Sequence, residues 1–384
     1  MYSNENSTGA FHAHSPMEAE VFKPLLTCAQ GKLFDDHPFA SPIALNLFFP
    51  DEPYPDYVDL LTREIGFYAK HFHHRRLTKI WFRGKPLLTM KAGELAELAF
   101  YTHQLFYREP GGSEEYGFEC QPSDITPGNL ALMKGLRFNH LTFSLNTSLP
   151  PKKQKTSQIL SIIDEYDFQE CRYRLDISNT DPDTLFCWLD TLITHHPRMI
   201  EIQGLDGMDG SVTLASLADH FSAQAYHLLG DRFFVPADHM LLSLQKQSDL
   251  QYTPWGLCQR QLGDWLGVGV DALGKLGSGY YQNHLSSHQY RDAIRNNQLP
   301  ICFSASYAEG HEKTLAWKLV DQLLCYHCLP IQSITDTARV SESIHGVIEK
   351  AEKLAWLNRH KKDLILAENG LNHLTQFCQE LQSL

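Results

Sequence analysis

No apolar run in this chain approaches the roughly 20 residues that a membrane-spanning helix needs, so no membrane association is expected. The opening stretch, MYSNENSTGAFHAHS, has neither the basic start nor the apolar core of an export signal, and a cytoplasmic protein is expected. Positive charge is scarce: 33 basic residues face 45 acidic ones, a net charge of −12. Nucleic acid needs a concentrated basic surface and is not expected as a partner. The densest basic stretch, Lys70 to Arg76, falls where a helix should end and there complements the negative end of a helix dipole. A disulfide framework is missing too. The nine cysteines are odd in number and irregularly spaced, and without an export signal they read as reduced thiols. None lies between Cys28 and Cys120. Cys325 and Cys328 are spaced like half of a zinc site, but no second pair matches, so no metal is expected there and they read as small buried side chains.

What is present is a βα rhythm. Residues 1–40 are polar and aperiodic and read as a loosely held arm, whose His12 and His14 form an H-x-H pair most simply put down to chance. From Ile43 onward, strands are expected over Ile43–Phe49, Thr78–Phe82, Tyr116–Cys120, Leu141–Leu145, Arg172–Ile177 and Met199–Gln203. Amphipathic stretches fill the gaps: Tyr57–Lys70, Ala92–Tyr107, Pro127–Lys134, Ser157–Tyr166 and Pro182–His195. Thr126-Pro127 and Asp181-Pro182 each put a capping side chain before a proline at the first helical position. Six such units in succession imply an α/β fold, an open or partial TIM-like barrel, with its site at the C-terminal ends of the strands. After Gly204 the pattern gives a helix over Leu214–Leu229 and a glycine-rich passage, Leu266 to Gly274. Past Pro300 it gives helices over Glu312–Cys328 and Ser341–Arg359, and a tail at Leu364–Leu384. The expected division is an arm at 1–40, a barrel at 41–300 and a helical domain at 301–384.

Four stretches then form an ordered series. They are Phe118-Glu119-Cys120-Gln121-Pro122 with Ile125-Thr126-Pro127 and Asn129-Leu130; Phe138 to Asn146; Leu266-Gly267-Val268-Gly269 with Ala272, Tyr281-Gln282-Asn283, Tyr290, Ile294 and Leu299-Pro300; and Ile365 to Leu371. In order and spacing they resemble the third strand and its helix, the fourth strand, the closing segment and the C-terminal wing of one family. It is the family of oxygen-independent coproporphyrinogen III oxidases and their radical S-adenosylmethionine (SAM) relatives, heme chaperones included. The resemblance runs from about Pro42 to the C-terminus. It implies a partial (β/α)6 barrel of radical SAM type with a helical, winged-helix-like C-terminal domain.

The resemblance also implies a C-x3-C-x2-C loop after the first strand, whose thiolates hold a [4Fe–4S] cluster that cleaves SAM. Here that place reads Asp51-Glu52-Pro53-Tyr54-Pro55, and hard oxygen ligands match such a cluster poorly. The glycine-rich turn after the second strand reads Phe82-Arg83-Gly84-Lys85-Pro86-Leu87. His140 and Asn146 stand where the family has arginine and glutamine, and Ser178-Asn179-Thr180 replaces its glycine-proline motif, although Asp176 remains. A degenerate relative with no cofactor is therefore expected: no [4Fe–4S] cluster and no metal, with SAM or heme binding left open.

The pocket candidates are Arg83, Lys85, Glu119, His140, Asn146, Asp176, Gly267 and Gly269. Glu119 either keeps a binding role or pairs with Arg83 or Lys85. Gly267 and Gly269 either admit a ligand or allow close chain packing. Trp255, Trp265, Tyr280 and Tyr281 line a cavity or belong to the core, and His73-His74 and His195-His196 are axial-ligand candidates that also suit helix ends. Two functions follow. The first is a non-catalytic accessory or binding protein, holding a tetrapyrrole or pairing with an active radical SAM relative or a second copy of itself. The second is a cluster-independent enzyme in which Arg83, Lys85, Glu119, His140 and Asp176 do acid–base work on a small anionic substrate.

Overall fold

The computed structural model describes residues 42–384 apart from 53, 74, 108–113, 149–152, 209, 211, 254, 261–262, 278, 307–311 and 336–341. The amino-terminal arm, with His12, His14 and Cys28, lies outside the described residues, and so does His74.

Six parallel strands alternate with helices: β1 (Ile43–Phe49), β2 (Leu77–Gly84), β3 (Glu115–Cys120), β4 (His140–Asn146), β5 (Glu170–Asp176) and β6 (Met199–Gln203). The crossovers run through helices Tyr57–Phe72, Ala92–Leu105, Pro127–Gly135, Lys153–Glu165 and Pro182–Ile193. Two of these begin as the sequence predicts: Thr126 accepts a hydrogen bond from the Asn129 amide, and Asp181 accepts one from the Thr184 amide. One face of each strand is apolar. Leu45, Leu47, Phe49, Phe82, Phe118, Phe143 and Leu175 pack there against Leu61, Ile65, Leu98, Leu130 and Leu189 of the helices, forming the main core.

The other face is polar, and the sheet curls around it. Arg172 of β5 stands 5.6 Å over the Trp81 ring of β2, although β3 and β4 intervene in the sheet. That contact requires a curved sheet, so the six βα units form the expected partial (β/α)6 barrel. Beyond β6 the sheet adds β7 (Tyr226–Leu229) and β8 (Phe233–Pro236), both antiparallel additions. Between these and the next sheet strand lies a separate hairpin, β9 (Leu250–Thr253) and β10 (Gly256–Gln259). On the other flank β11 (Asp264–Val268) runs parallel to β1, and β12 (Leu273–Leu276), β13 (Gly279–Asn283) and β14 (Ile301–Ser306) complete a 12-stranded sheet.

Three expected helices are shorter than their apolar pattern. The helix from Leu214 ends at Ser222, and Ala225, at φ +61°, turns the chain into β7. The helix from Glu312 ends at Tyr326, and His327, at φ +54°, leads into β15 (Cys328–Pro330). Glu342–Lys353 stops before Ala355, at φ +55°, and β16 (Leu357–His360) and β17 (Asp363–Leu366) follow. Each break is a left-handed residue that no periodic pattern signals. The C-terminal part is thus helices on a three-stranded antiparallel sheet, with its own core of Leu319, Leu323, Trp356, Leu364 and Phe377. Ile301–Ser306, expected within the helical part, is instead the edge strand of the large sheet. No described helix is long and apolar enough to cross a membrane.

Candidate functional site

The concave face of the barrel carries charged side chains at alternate positions of its strands. Glu119, at the end of β3, is held on both oxygens. Its Oε1 accepts hydrogen bonds from Arg174 of β5 and from Ser144 Oγ at 3.3 Å, and its Oε2 accepts one from the Gly84 amide at 3.0 Å. Gly84 can make that turn because it has no side chain: φ is +83°, and a Cβ would lie 2.1 Å from the Phe49 carbonyl oxygen. Arg174 also donates from Nε to Glu201 Oε2 at 3.1 Å, and Gln203 Nε2 donates to Glu201 Oε1 at 2.7 Å. Burial alone would raise the Glu201 carboxyl, but Arg174, Arg172 and Arg232 outweigh it and hold the pKa at about 2. This is a saturated ion network, with little left to offer a substrate.

Lower in the barrel, Lys79 and the Trp81 indole N–H bind the two oxygens of Glu115, whose pKa burial would raise but Lys79 and His140 hold at about 2. Trp81 lies flat against β3 because Gly117 leaves room; a Cβ there would sit 2.2 Å from the indole. Arg83 stands between two indoles, 5.2 Å from the Trp81 ring centre and 5.6 Å from that of Trp255, which enters from the turn of the β9–β10 hairpin. Around these side chains remains a cavity of only ≈ 40 Å³.

The sequence candidates are therefore dispersed. Arg83 and Glu119 face the interior, but Glu119 pairs with Arg174 and not with Arg83 or Lys85. Lys85 lies outside, bound to Asp51 at 3.0 Å. His140 sits at the lower end of the barrel with Nδ1 2.7 Å from Asn139 Oδ1, and burial lowers its pKa. Asn146 and Asp176 are exposed at the rim, and each accepts hydrogen bonds from the serine two residues on, Ser148 and Ser178 respectively. Gly267 and Gly269 lie where a Cβ would strike the Leu273 carbonyl at 2.1 Å and the Tyr57 hydroxyl at 2.5 Å, so chain packing accounts for both. Trp255 lines the interior, whereas Tyr281 is core, its hydroxyl bonded to the Gly267 amide. Arg172, Arg174 and Glu201 were not anticipated. Their signal in the sequence is the alternation in β5, where Glu170, Arg172, Arg174 and Asp176 share one face and Cys171, Tyr173 and Leu175 the other.

The comparisons with known proteins agree with this architecture. No protein-family model matches the chain. Oxygen-independent coproporphyrinogen III oxidase of Pseudomonas aeruginosa is 23% identical over 317 residues, 72% of this chain and 67% of that protein. The same enzyme of Helicobacter pylori is 24% identical over 132 residues, 34% of this chain and 28% of that one. Among solved structures, coproporphyrinogen III oxidase from Escherichia coli, described as a radical SAM enzyme, superposes with a TM-score of 0.77 at 14% identity, covering 96% of this chain and 94% of its own. The chain is a homologue of the oxygen-independent coproporphyrinogen III oxidases. It has the radical SAM fold.

This relationship overturns the expectation of a chain without cofactor, because the structure that matches it over almost its whole length is a radical SAM enzyme. The groups that follow β1 are nonetheless a poor fit for a cluster held by thiolates. Asp51 and Glu52 are exposed carboxylates, and one of them is paired with Lys85. Among the described residues no group of three or more His, Cys, Asp or Glu side chains could hold a metal ion. Cys325 is buried at a helix end near Asp321, and Cys328 opens β15.

Proposed function

We propose that this chain is a cytoplasmic accessory or binding protein built on the coproporphyrinogen oxidase fold, and that it does not catalyse SAM cleavage. The observation that carries this reading is the closed interior. Arg174 holds both Glu119 and Glu201, and the cavity that Trp255, Arg83 and Arg172 line measures ≈ 40 Å³, far below the roughly 300–1,000 Å³ of a ligand pocket. A protein with such an interior works through its outer surface, on an active radical SAM relative or on a second copy of itself. The enzyme reading is the less favoured, since Lys85, Glu119 and Asp176 already have partners: Asp51, Arg174 and Ser178 respectively. The test is anaerobic reconstitution with iron and sulfide, followed by SAM and a reductant. The expected outcome is no 5′-deoxyadenosine, and its formation at more than one turnover would overturn the reading.

One observation favours a tetrapyrrole as the thing bound. On the outer surface, between helices Tyr57–Phe72 and Ala92–Leu105, lies an open groove of ≈ 540 Å³. It presents Phe67 and Tyr101 beside Arg63, Lys70 and His73, an apolar floor with cations placed to meet carboxylates. A heme titration followed by absorbance checks this: a saturable Soret shift that Arg63→Ala and Lys70→Ala together weaken supports it, and an unchanged spectrum removes it.

A further inference from the structure

The cavity inside the barrel has a property that its size alone does not explain. Arg83 is 8% exposed and Arg172 is 7% exposed, and the Nε atom of each is buried with no hydrogen-bond partner among the described residues. Arg83 forms no ion pair with a described carboxylate. Its polar contact is a long one, Nη2 to the Trp255 carbonyl oxygen at 3.5 Å. Arg172 gives one short hydrogen bond to that same oxygen, at 2.9 Å, and stands 3.8 Å from a Glu201 oxygen that Arg174 holds more closely. The other nearby carboxylates are engaged: Glu119 by Arg174, Ser144 and Gly84, and Glu115 by Lys79 and Trp81. A desolvated guanidinium without a counter-ion is costly, and buried charges in proteins are normally paired. Stacking on two indoles offsets only part of that cost.

We propose that this cavity binds one small monovalent anion, of chloride size, between Arg83 and Arg172 beneath the turn that carries Trp255. Both guanidinium groups line the space, with the side chains of Asn46 and Thr253 at its wall, and Lys79 adds a third positive charge on the side of Glu115. The volume, ≈ 40 Å³, admits one or two species of water size, about 30 Å³ each in the liquid, and excludes a nucleotide or a macrocycle. Water would satisfy the N–H groups but leave the charge uncompensated. A single negative charge supplies what Arg83 lacks, whereas a second would face Glu115 and Glu201 without a matching cation. Burial, opposed by Glu119 but reinforced by Arg174 and Arg172, lowers the Arg83 pKa to about 9, in keeping with a guanidinium short of its own counter-ion. The bound anion closes the interior network and fixes the hairpin turn, and it needs no enzymatic activity of the chain.

The test exchanges sodium gluconate for sodium chloride at constant ionic strength. Chloride is expected to raise Tm saturably, on the order of 2 °C by about 200 mM. Bromide in place of chloride is expected to quench tryptophan fluorescence along the same saturation curve, because Trp81 and Trp255 flank the site. Arg83→Met is expected to abolish both responses. Equal behaviour in the two sodium salts, or an Arg83→Met protein that still responds to chloride, overturns the proposal. Should that variant fail to fold, a bromide-soaked crystal of the unmodified protein decides: an anomalous peak in the cavity supports the site, and an empty cavity refutes it.

Discussion

Glu64 is a carboxyl with no exposed surface, placed by the helix Tyr57–Phe72 against the segment that follows β11. Three donors close on it: Tyr290 Oη at 2.6 Å, Asn283 Nδ2 at 2.7 Å and the Gly269 amide at 2.9 Å. Each of them favours the carboxylate, yet burial dominates and pushes the pKa up to about 8 from an ordinary 4.5. The folded chain therefore binds this proton more tightly than the unfolded chain does. Its contribution to stability is complete below pH 4.5 and is lost progressively as pH rises to about 8. Glu64→Gln keeps the shape and removes the titration, so urea midpoints of the variant should fall less steeply than those of the unmodified protein between those two pH values. Parallel curves would mean that the donors, not burial, set the charge of Glu64. The same residue explains why Gly267 and Gly269 look like ligand-binding glycines in sequence. They are glycines because Leu273, Tyr57 and Phe48 come too close for any side chain, and because Gly269 adopts φ +113° to present its amide to Glu64.

Among elements, the hairpin β9–β10 matters most to the site, although it belongs to neither the barrel strands nor the C-terminal core. Its Trp255 packs edge-on against Trp265, accepts hydrogen bonds on its carbonyl oxygen from Arg172 and Arg83, and lines the interior cavity. Trp255→Ala should cost about 3 kcal/mol in denaturant unfolding and open the interior, read as increased binding of a hydrophobic dye to the folded protein. A variant that loses stability without gaining dye binding would place the plug elsewhere. The barrel strands were legible because outward positions such as Leu45, Leu47 and Phe49 or Phe143 and Leu145 are uniformly apolar, and the helix starts at Thr126 and Asp181 because capping is a local event. The site was less legible because its contacts are not local. Arg172 and Arg174 read as one face of a strand, and only the curl of the sheet sets Arg174 against Glu119 two strands away and Arg172 over Trp81 three strands away. The short strands β7 and β15 were hidden for a different reason. With 4 and 3 residues they show too little alternation to outweigh the helical pattern that runs into them.

At the scale of the molecule, the C-terminal part is coupled to the barrel interior through that same hairpin. The helix Glu312–Tyr326 lies against β9, where Asp321 Oδ1 accepts the Tyr252 amide at 2.7 Å and the Tyr326 hydroxyl accepts the Leu250 amide at 2.9 Å. Tyr252 packs against the C-terminal core and the small core around Phe233, and its hydroxyl accepts from Arg232 at 2.8 Å. A chain of contacts thus runs from the C-terminal helices through Tyr252 to Trp255 and the guanidinium pair. If a partner engages the C-terminal helices, this is the route by which it would reach the barrel. Asp321→Ala removes the acceptor of a buried amide, a loss of about 1–3 kcal/mol. Hydrogen exchange should then quicken across residues 250–259 as much as within the C-terminal part, with the emission of Trp255 shifting as its turn loosens. Faster exchange confined to the C-terminal helices, with the hairpin amides still protected, would show that the barrel holds its plug without their help.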